Sequence, residues 1–342
     1  MDQAVIGWDV GGAHVKAARI DGGRVTAALQ LPCPLWLGPE RLPAAIAAAM
    51  ARLGPAPRHA ATMTGELADA FATRAEGVAH IIAVLAASLA PADLAIWAGR
   101  AGFLSAAAAL GRADDVASTN WLATAALAAR AVPAGLLADM GSTTTDLVPI
   151  ADGMPCPAGH SDAARLACGE LVYTGLVRSF VLALAPCAPF AGVWTPLAAE
   201  YFATSADVYR LLGELPAGAD QMPTADGREK SEAASRARLA RMVGRDAAEA
   251  PEQAWRDLAA FFAEAQLRRI ADAAMLVLSR TELPPDAPVI GTGCGRHVTR
   301  RLAARLGRTW RDFAALPPFA DLPAATVDQC APAAAVALLA GG

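Results

Sequence analysis

One pattern, written twice, constrains this chain more than any other feature. Residues 4–10, AVIGWDV, form a short apolar run that ends in an acid and is followed by Gly11 and Gly12. Residues 15–20, VKAARI, alternate as a second strand, and Asp21-Gly22-Gly23 reads as a hairpin turn into a third strand, VTAALQL. The segment GLLADMGSTTTDLVPIADG, which holds Asp139, repeats the plan: a strand ending in an acid, a polar turn with Gly141, a second strand LVPI and a turn ADG. Such an echo predicts two lobes of related design. A length of 342 residues, beyond what one hydrophobic core usually supports, predicts the same.

Composition narrows the function classes. Hydrophobic residues make up 55% and charged residues 18%, which excludes wholesale disorder. Lys+Arg 29 against Asp+Glu 33 gives a net charge of -4, without the clustered basic surface of a nucleic-acid binder. The N-terminus lacks a basic stretch followed by an apolar core, so no secretory signal is expected. The uncharged run between Arg178 and Glu200 is interrupted by Pro186, Pro189 and Pro196 and reads as a buried strand or helix followed by an apolar loop, not a membrane span. The six cysteines show no CxxC pair, and Cys156, His160 and Cys168 lack a full zinc ligand set, so reduced thiols in the cytoplasm are expected.

Periodicity and breakers predict helices over 40–53, 66–74, 76–90, 104–111 and 118–131, a mostly helical stretch over 161–185, short helices over 196–213, and helices over 231–244, 251–279 and 331–340. Strands are expected in HAATM, LAIWAG and APVIG. Residues 218–231 read as a mobile surface loop, and the aromatic face of 251–279 as core.

Three turns share one physical design, glycine-rich or hydroxyl-rich backbone directly after a strand. Glycine permits a positive φ and leaves no Cβ between a phosphate oxygen and the backbone N–H groups. The turns Asp9-Val10-Gly11-Gly12 and Asp139-Met140-Gly141-Ser142-Thr143-Thr144 begin with a carboxylate, which suits bound phosphate only with a divalent cation between them. The third, Gly291-Thr292-Gly293-Cys294-Gly295, lacks an acid and suits a flat or sugar-like group. Lys16 is one of two lysines, with Lys230, in a chain whose other basic residues are arginines, and it sits just after the first turn.

In their order and spacing, residues 6–20, 136–150 and 288–298 resemble the two phosphate motifs and the adenosine motif of the superfamily of acetate and sugar kinases, Hsp70 and actin. RLACGELVYTGLVRS at 165–179 is similar to a stretch of the hydantoinase/oxoprolinase family. TMTGEL at 62–67, STNW at 118–121, and TADGR with RLARMVGRD over 224–246 resemble its branch of methanofuran-biosynthesis condensing enzymes and their relatives in tetrahydromethanopterin-linked one-carbon transfer.

The resemblance implies an α/β, two-lobed, ribonuclease-H-like (actin-like ATPase) fold with a ligand cleft between lobes. The lobes would be residues 1–135 and 136–330, the second with a helical insertion, and a terminal helix at 331–342 would pack on the first lobe. It implies a cytoplasmic, magnesium-dependent transferase that joins an aminomethylfuran methyl diphosphate to the phenol of a glutamyl-tyramine or tyrosine-type acceptor and releases pyrophosphate. The alternative is an ATP-dependent small-molecule kinase or a hydantoinase/oxoprolinase-like enzyme. ATP is compatible with the pattern but not required by the preferred chemistry. The expected partners are the small-molecule diphosphate and phenolic substrates, with a homodimer as an admissible assembly and no nucleic-acid or membrane partner.

Roles follow from the same resemblance. Asp9 and Asp139 would orient Mg2+, Lys16 would touch a diphosphate oxygen, and Asp146 would either order the second turn or accept the phenolic proton. Gly11, Gly12, Gly141, Ser142, Thr143 and Thr144 would cradle phosphate. Glu66, Asn120, Glu170, Tyr173, Gly291, Gly293 and Gly295 would line the substrate or a nucleoside, with Glu170 and Tyr173 sharing a face of one helix.

Overall fold

In the computed structural model, which describes residues 4–316, 319 and 322–341, the doubled hairpin organises the chain. The first part contains strands β1 (Val5–Val10), β2 (His14–Asp21) and β3 (Arg24–Pro32), then α1 (Arg41–Leu53), β4 (Arg58–Met63), α2 (Arg74–Leu89), β5 (Asp93–Trp97), β6 (Phe103–Ser105) and helices α3 (Ala106–Leu110), α4 (Ala113–Val116) and α5 (Asn120–Ala131). The second contains β7 (Gly135–Met140), β8 (Thr145–Ala151), β9 (Met154–Pro155), α6 (Asp162–Cys168), β10 (Leu171–Val172), β11 (Cys187–Phe190) and β12 (Val193–Pro196). It continues through α7 (Ser205–Leu211), α8 (Glu232–Met242), α9 (Glu252–Ser279), β13 (Val289–Thr292), α10 (Arg296–Arg305), β14 (Trp310–Asp312) and α11 (Ala324–Gly341).

The chain forms two compact units. One comprises Met1–Leu137, Val148–Asp162 and Arg311–Gly342, the other Ala138–Leu147 and Ala163–Trp310. The first is built on a sheet of order β3-β2-β1-β4-β5-β6. Gly22 and Gly23, both at positive φ, turn β2 into β3, and β1 to β3 form the antiparallel meander expected of them. Strands β1, β4 and β5 run parallel, so their carboxyl ends open on one edge. A second sheet has the order β10-β8-β7-β13-β14, with β9 beside β8.

The first unit's core is aliphatic and alanine-rich. Leu42, Ile46 and Ala49 of α1 and Val78, Ile81, Ile82 and Leu85 of α2 are buried with Ile6, Trp8 and Val10 of β1. On β1, Gly7 meets α11. A Cβ on Gly7 would collide with the Ala333 carbonyl and would stand 2.9 Å from the Ala337 nitrogen. This backbone-on-backbone contact, flanked by buried Ala331, Ala334 and Ala335, explains the alanine content of the last helix. Among the described residues α11 is the one helix long and apolar enough to span a bilayer, but Pro332 lies inside it, Cys330 is non-helical, and its residues from Val327 to Leu338 are almost all buried against the protein.

Several local expectations fail for identifiable reasons. The stretch 161–185 is not mostly helical. Gly169 at φ +77 ends α6, and β10 follows it to pair with β8, so Glu170 and Tyr173 share no helix. The helix expected over 66–74 is a single 3-10 turn at Gly65–Leu67, and α2 begins only where the Thr73 side chain caps the Glu76 amide. The expected helix at 104–111 starts as strand β6, and over 196–213 only α7 is helical. The apolar run after Arg178 forms the hairpin β11–β12, turned by Ala191 and Gly192 at positive φ. Residues 218–231 form no loose loop: Asp226 pairs with Arg238 at 3.1 Å and with Arg241, and Lys230 pairs with Asp220 at 3.3 Å. All six cysteines are free thiols, and burial pushes Cys33 up to about 11 and Cys330 up to about 12.

Two consequences are measurable. Gly7→Ala must push α11 off β1 and should lower stability by about 1–3 kcal/mol in urea titrations. His59, buried with its Nδ1 accepting from Trp8 Nε1 at 3.1 Å, is pushed down to about 4 by burial. Its folded form stays neutral while the unfolded chain takes up a proton, so the stability it contributes is present above about pH 6.5 and is lost as pH falls towards 4. His59→Gln should flatten the acid limb of a stability–pH curve by up to about 3 kcal/mol.

Candidate functional site

The first acid-led turn is built from β1, β2 and β4. Pairing sets Lys16 opposite Asp9 on one side and Thr62 beside it on the other, so the three stand abreast across the strands. The Asp9 carboxylate is 1% exposed, and Lys16 Nζ donates to its Oδ2 at 3.2 Å. Asn120, the first residue of α5, reaches Asp9 Oδ1 in a long 3.5 Å contact while its own Oδ1 accepts from the Trp121 amide. A carboxylate this deep is tolerated only when paired, and the hairpin supplies its cation from the adjacent strand.

Beyond Asp9 the chain turns at Gly11 and Gly12, where the Gly11 amide donates to the His14 carbonyl at 2.9 Å. No atom lies within 4 Å of where a Gly12 Cβ would stand, so the turn presents open backbone. A Cβ on Gly11 would stand 3.6 Å from Thr64 Oγ1, and one on Gly65 would stand 3.0 Å from the Val10 carbonyl, so the segment after β4 lies directly against this turn. Thr62 Oγ1 and Glu66 Oε2 are buried there without a hydrogen-bond partner. Glu66 Oε1 accepts from Ser118 Oγ at 2.7 Å, and burial raises the Glu66 carboxyl above the ordinary range. Thr62, Thr64 and Ser118 belong to this constellation although sequence reasoning assigned them no role. Their only signal was the run of polar residues in TMTGEL and STNW among apolar neighbours.

The second turn belongs to the other unit and is framed differently. Asp139 is half-buried near the end of β7, and the Gly141 amide donates to the Thr144 carbonyl at 2.9 Å. The segment after β10 closes over it: the Leu176 amide donates to the Gly141 carbonyl, and the Val177 and Arg178 amides to that of Ser142. Gly175 permits this, because a Cβ there would stand 2.5 Å from the Thr143 nitrogen. Behind it, Gln266 Nε2 donates to Thr174 Oγ1 at 2.6 Å and to the Gly175 carbonyl at 2.8 Å, and Tyr209 donates its hydroxyl to Gln266 Oε1 at 2.7 Å.

The other expected site residues divide clearly. Asp146 pairs with buried Arg165 at 2.9 Å, and Arg165 also donates to the Glu170 carbonyl, so of the two roles open to Asp146 its partners favour ordering this region. Glu170 is buried in a 2.8 Å pair with Arg280, whereas Tyr173 is 59% exposed. Gly291, Gly293 and Gly295 each have a packing reason to lack a side chain. A Cβ would collide with Thr299 and Trp310 at Gly291, with the Met140 carbonyl at Gly293, and with the Met140 side chain at Gly295. The Gly293 position also stands 2.5 Å from Asp139 Oδ1, so the third turn lies against the second.

Among the described residues no group of three or more His, Cys, Asp and Glu side chains is placed to hold a metal. A single buried carboxylate beside open backbone fits Mg2+, which is commonly held by one or two carboxylates together with water and phosphate oxygens.

Comparison with known proteins places the chain among relatives. Residues 58–313 match the family described as hydantoinase/oxoprolinase. The chain is 32% identical over 243 residues, 71% of its length and 72% of the relative's, to the (4-{4-[2-(gamma-L-glutamylamino)ethyl]phenoxymethyl}furan-2-yl)methanamine synthase of Methanocaldococcus jannaschii. The synthase of the same name from Methanococcus vannielii is 32% identical over 111 residues, which cover 32% of this chain and 50% of that one. Among solved structures, a nucleotide-free acetone carboxylase aligns with 99% of this chain and 70% of its own at TM-score 0.60 and 13% identity. The ethanolamine utilization protein EutJ from Carboxydothermus hydrogenoformans aligns with 97% and 89% at TM-score 0.50 and 12% identity. The chain shares with these two structures a mixed α/β fold.

Arg165→Met would leave Asp146 without this partner in the interior and should cost about 3–5 kcal/mol in denaturant titrations. Asp146→Asn, which keeps the shape, should cost clearly less.

Proposed function

The chain belongs to the hydantoinase/oxoprolinase family, and we propose that within it the protein is an ether-forming transferase of methanofuran biosynthesis. The reading rests on its 32% identity, across 71% of the chain, to a synthase whose product name describes an aryl furanylmethyl ether bearing a primary amine. In this reading an (aminomethylfuranyl)methyl diphosphate and the phenol of a glutamyl-tyramine or tyrosine-type acceptor are the substrates. The phenolic oxygen forms a bond to the furanylmethyl carbon, the bond from that carbon to the diphosphate oxygen breaks, its electron pair leaves with pyrophosphate, and the phenolic proton is lost to solvent.

A furanylmethyl carbon tolerates developing positive charge, so the principal demand on the protein is to stabilise the departing diphosphate. Lys16 meets it as a point charge fixed by its strand position beside Asp9. Asp9 serves as the carboxylate toward Mg2+, and the open backbone at Gly12 lets a phosphate oxygen approach the turn. The turn from Asp139 through Gly141, Ser142, Thr143 and Thr144 is assigned the same class of ligand, on the strength of its matching design. Bound Mg2+ would supply charge neutralisation on the leaving group. Holding Lys16 against Asp9 before substrate arrives is preorganisation: the cation needs no ordering at the moment of reaction.

The test is direct. Purified protein with the furan diphosphate, a glutamyl-tyramine acceptor and Mg2+ should release pyrophosphate and give the ether by mass spectrometry, and no ether with either acceptor type would defeat the reading. Lys16→Met and Asp9→Asn should each lower kcat by about 100- to 1,000-fold, and chelation of Mg2+ should abolish turnover. Phosphorylation of a small molecule at the expense of ATP, in place of ether formation, would identify a kinase instead.

A further inference from the structure

Glu66 is a buried acid of the first unit that the proposed diphosphate chemistry does not use. Its residue is 1% exposed, one carboxyl oxygen accepts from Ser118, and the other is buried without a partner. A buried oxygen left unmet carries its full desolvation penalty, so its retention asks for a purpose. The surroundings hold it rigidly. A Cβ on Gly77 of α2 would stand 2.7 Å from both Cα and O of Glu66, which presses the helix onto this residue. Ser118 sits at φ +53, a strained conformation for a non-glycine residue. Two indoles pin that strained turn: Trp121 Nε1 donates to the Ser118 carbonyl at 2.7 Å, and Trp97 Nε1 to that of Thr119 at 3.2 Å.

The location is as informative as the burial. Gly65, the preceding residue, lies against the Val10 carbonyl and the Gly11 backbone, so Glu66 is one residue from the first phosphate turn. Two residues beyond Ser118, Asn120 touches Asp9. The charged groups acting on Glu66 are Arg74 and Asp162, which pair with each other at 2.7 Å and so offset one another. A single unmatched carboxyl oxygen beside an anion turn therefore calls for a ligand with a negative end and a compact positive end.

We propose that Glu66 recognises the primary ammonium of the substrate, taking the aminomethyl group on its unpartnered oxygen while the diphosphate at the other end of the furan is held at the Gly11–Gly12 turn. The inference rests on the ether-forming reading, since the furan amine comes from that product. The furan ring carries one methylene to each end, so neighbouring segments are needed to grip both, and the Gly65 contact makes them neighbours. The ammonium supplies the counter-charge that burial otherwise denies the carboxylate. A substrate without the amine would leave the carboxyl unmet, and sites built around such a group discriminate strongly.

The experiment compares the aminomethylfuran diphosphate with the same furan bearing a methyl in place of the aminomethyl group. Wild type should favour the amine by about 100-fold or more in kcat/KM. Glu66→Gln keeps an oxygen for Ser118 but not the charge. Its preference should fall below about tenfold through a raised KM for the amine, with the methyl substrate unaffected. Unchanged preference in E66Q, or equal loss with both substrates, overturns the proposal. If wild type releases pyrophosphate from neither, the ether-forming reading has failed, and calorimetry with furfurylamine and furfuryl alcohol then judges the ammonium site alone. Binding of the amine over the alcohol by wild type, abolished in E66Q, supports the site; no preference overturns it. Should E66Q not fold, the wild-type preference in the same two comparisons decides.

Discussion

The first unit depends on a carboxylate that cannot exist where it is without help. Asp9 lies near the end of a strand buried on both sides, and an isolated charge in that position would cost many times the net stability of a domain. The meander solves this with register alone. Because β2 pairs antiparallel with β1, the residue opposite Asp9 is Lys16, and a lysine in a chain of arginines gives a compact point charge that leaves the planar guanidinium fork out of a crowded strand. A slip of one residue would face Lys16 away from Asp9, so the ion pair and the register enforce each other. The same interaction leaves a cation and an anion poised beside open backbone, which is a state a polyanion with a divalent cation can rearrange.

Close backbone approach is the second constraint, and it recurs around the acid-led turns. Gly7 admits α11, Gly65 admits the turn after β1, Gly77 admits the main chain at Glu66, and Gly175 and Gly293 let two segments close on the second acid-led turn. In each case the glycine serves the protein's own packing. This changes the meaning of the third turn. Gly291, Gly293 and Gly295 look in sequence like a surface for a flat ligand, yet their missing side chains are accounted for by Trp310, Thr299 and Met140. A glycine-rich string records close approach and does not say to what.

The architecture was legible where local chemistry and tertiary structure agree. The strand–acid–glycine–strand units, the Asp-Gly-Gly turn and the long helix with Trp255, Leu258 and Phe262 inward were all readable because period, turn residue and burial point the same way. The misreadings lie where they conflict. Residues 169–185 have helical composition, but Gly169 takes a positive φ and Leu171 and Val172 gain a ladder with β8, so pairing overrides propensity. The polar stretch 218–231 has loop composition, yet Asp226 is tied to an arginine with no exposed surface, and that arginine lies in a helix whose sequence gave no hint of burial.

Around the candidate site, the charged residues stand out in the sequence and the groups that hold them do not. Asp9, Lys16 and Glu66 are conspicuous because ionisable groups near apolar strands and glycine turns are rare. Ser118 is harder to read, since its hydroxyl meets Glu66 from a turn that holds Ser118 at positive φ and is fixed by the Trp121 and Trp97 indoles. The distinction is physical. A charge announces itself in composition because its burial is expensive, whereas the hydrogen bonds that offset that burial come from ordinary donors such as the Ser118 hydroxyl and the Asn120 amide, which only the fold brings to the carboxylates. The sequence context of Glu66 suits a helix-opening residue and a substrate-lining acid equally, and its unmet oxygen favours the second.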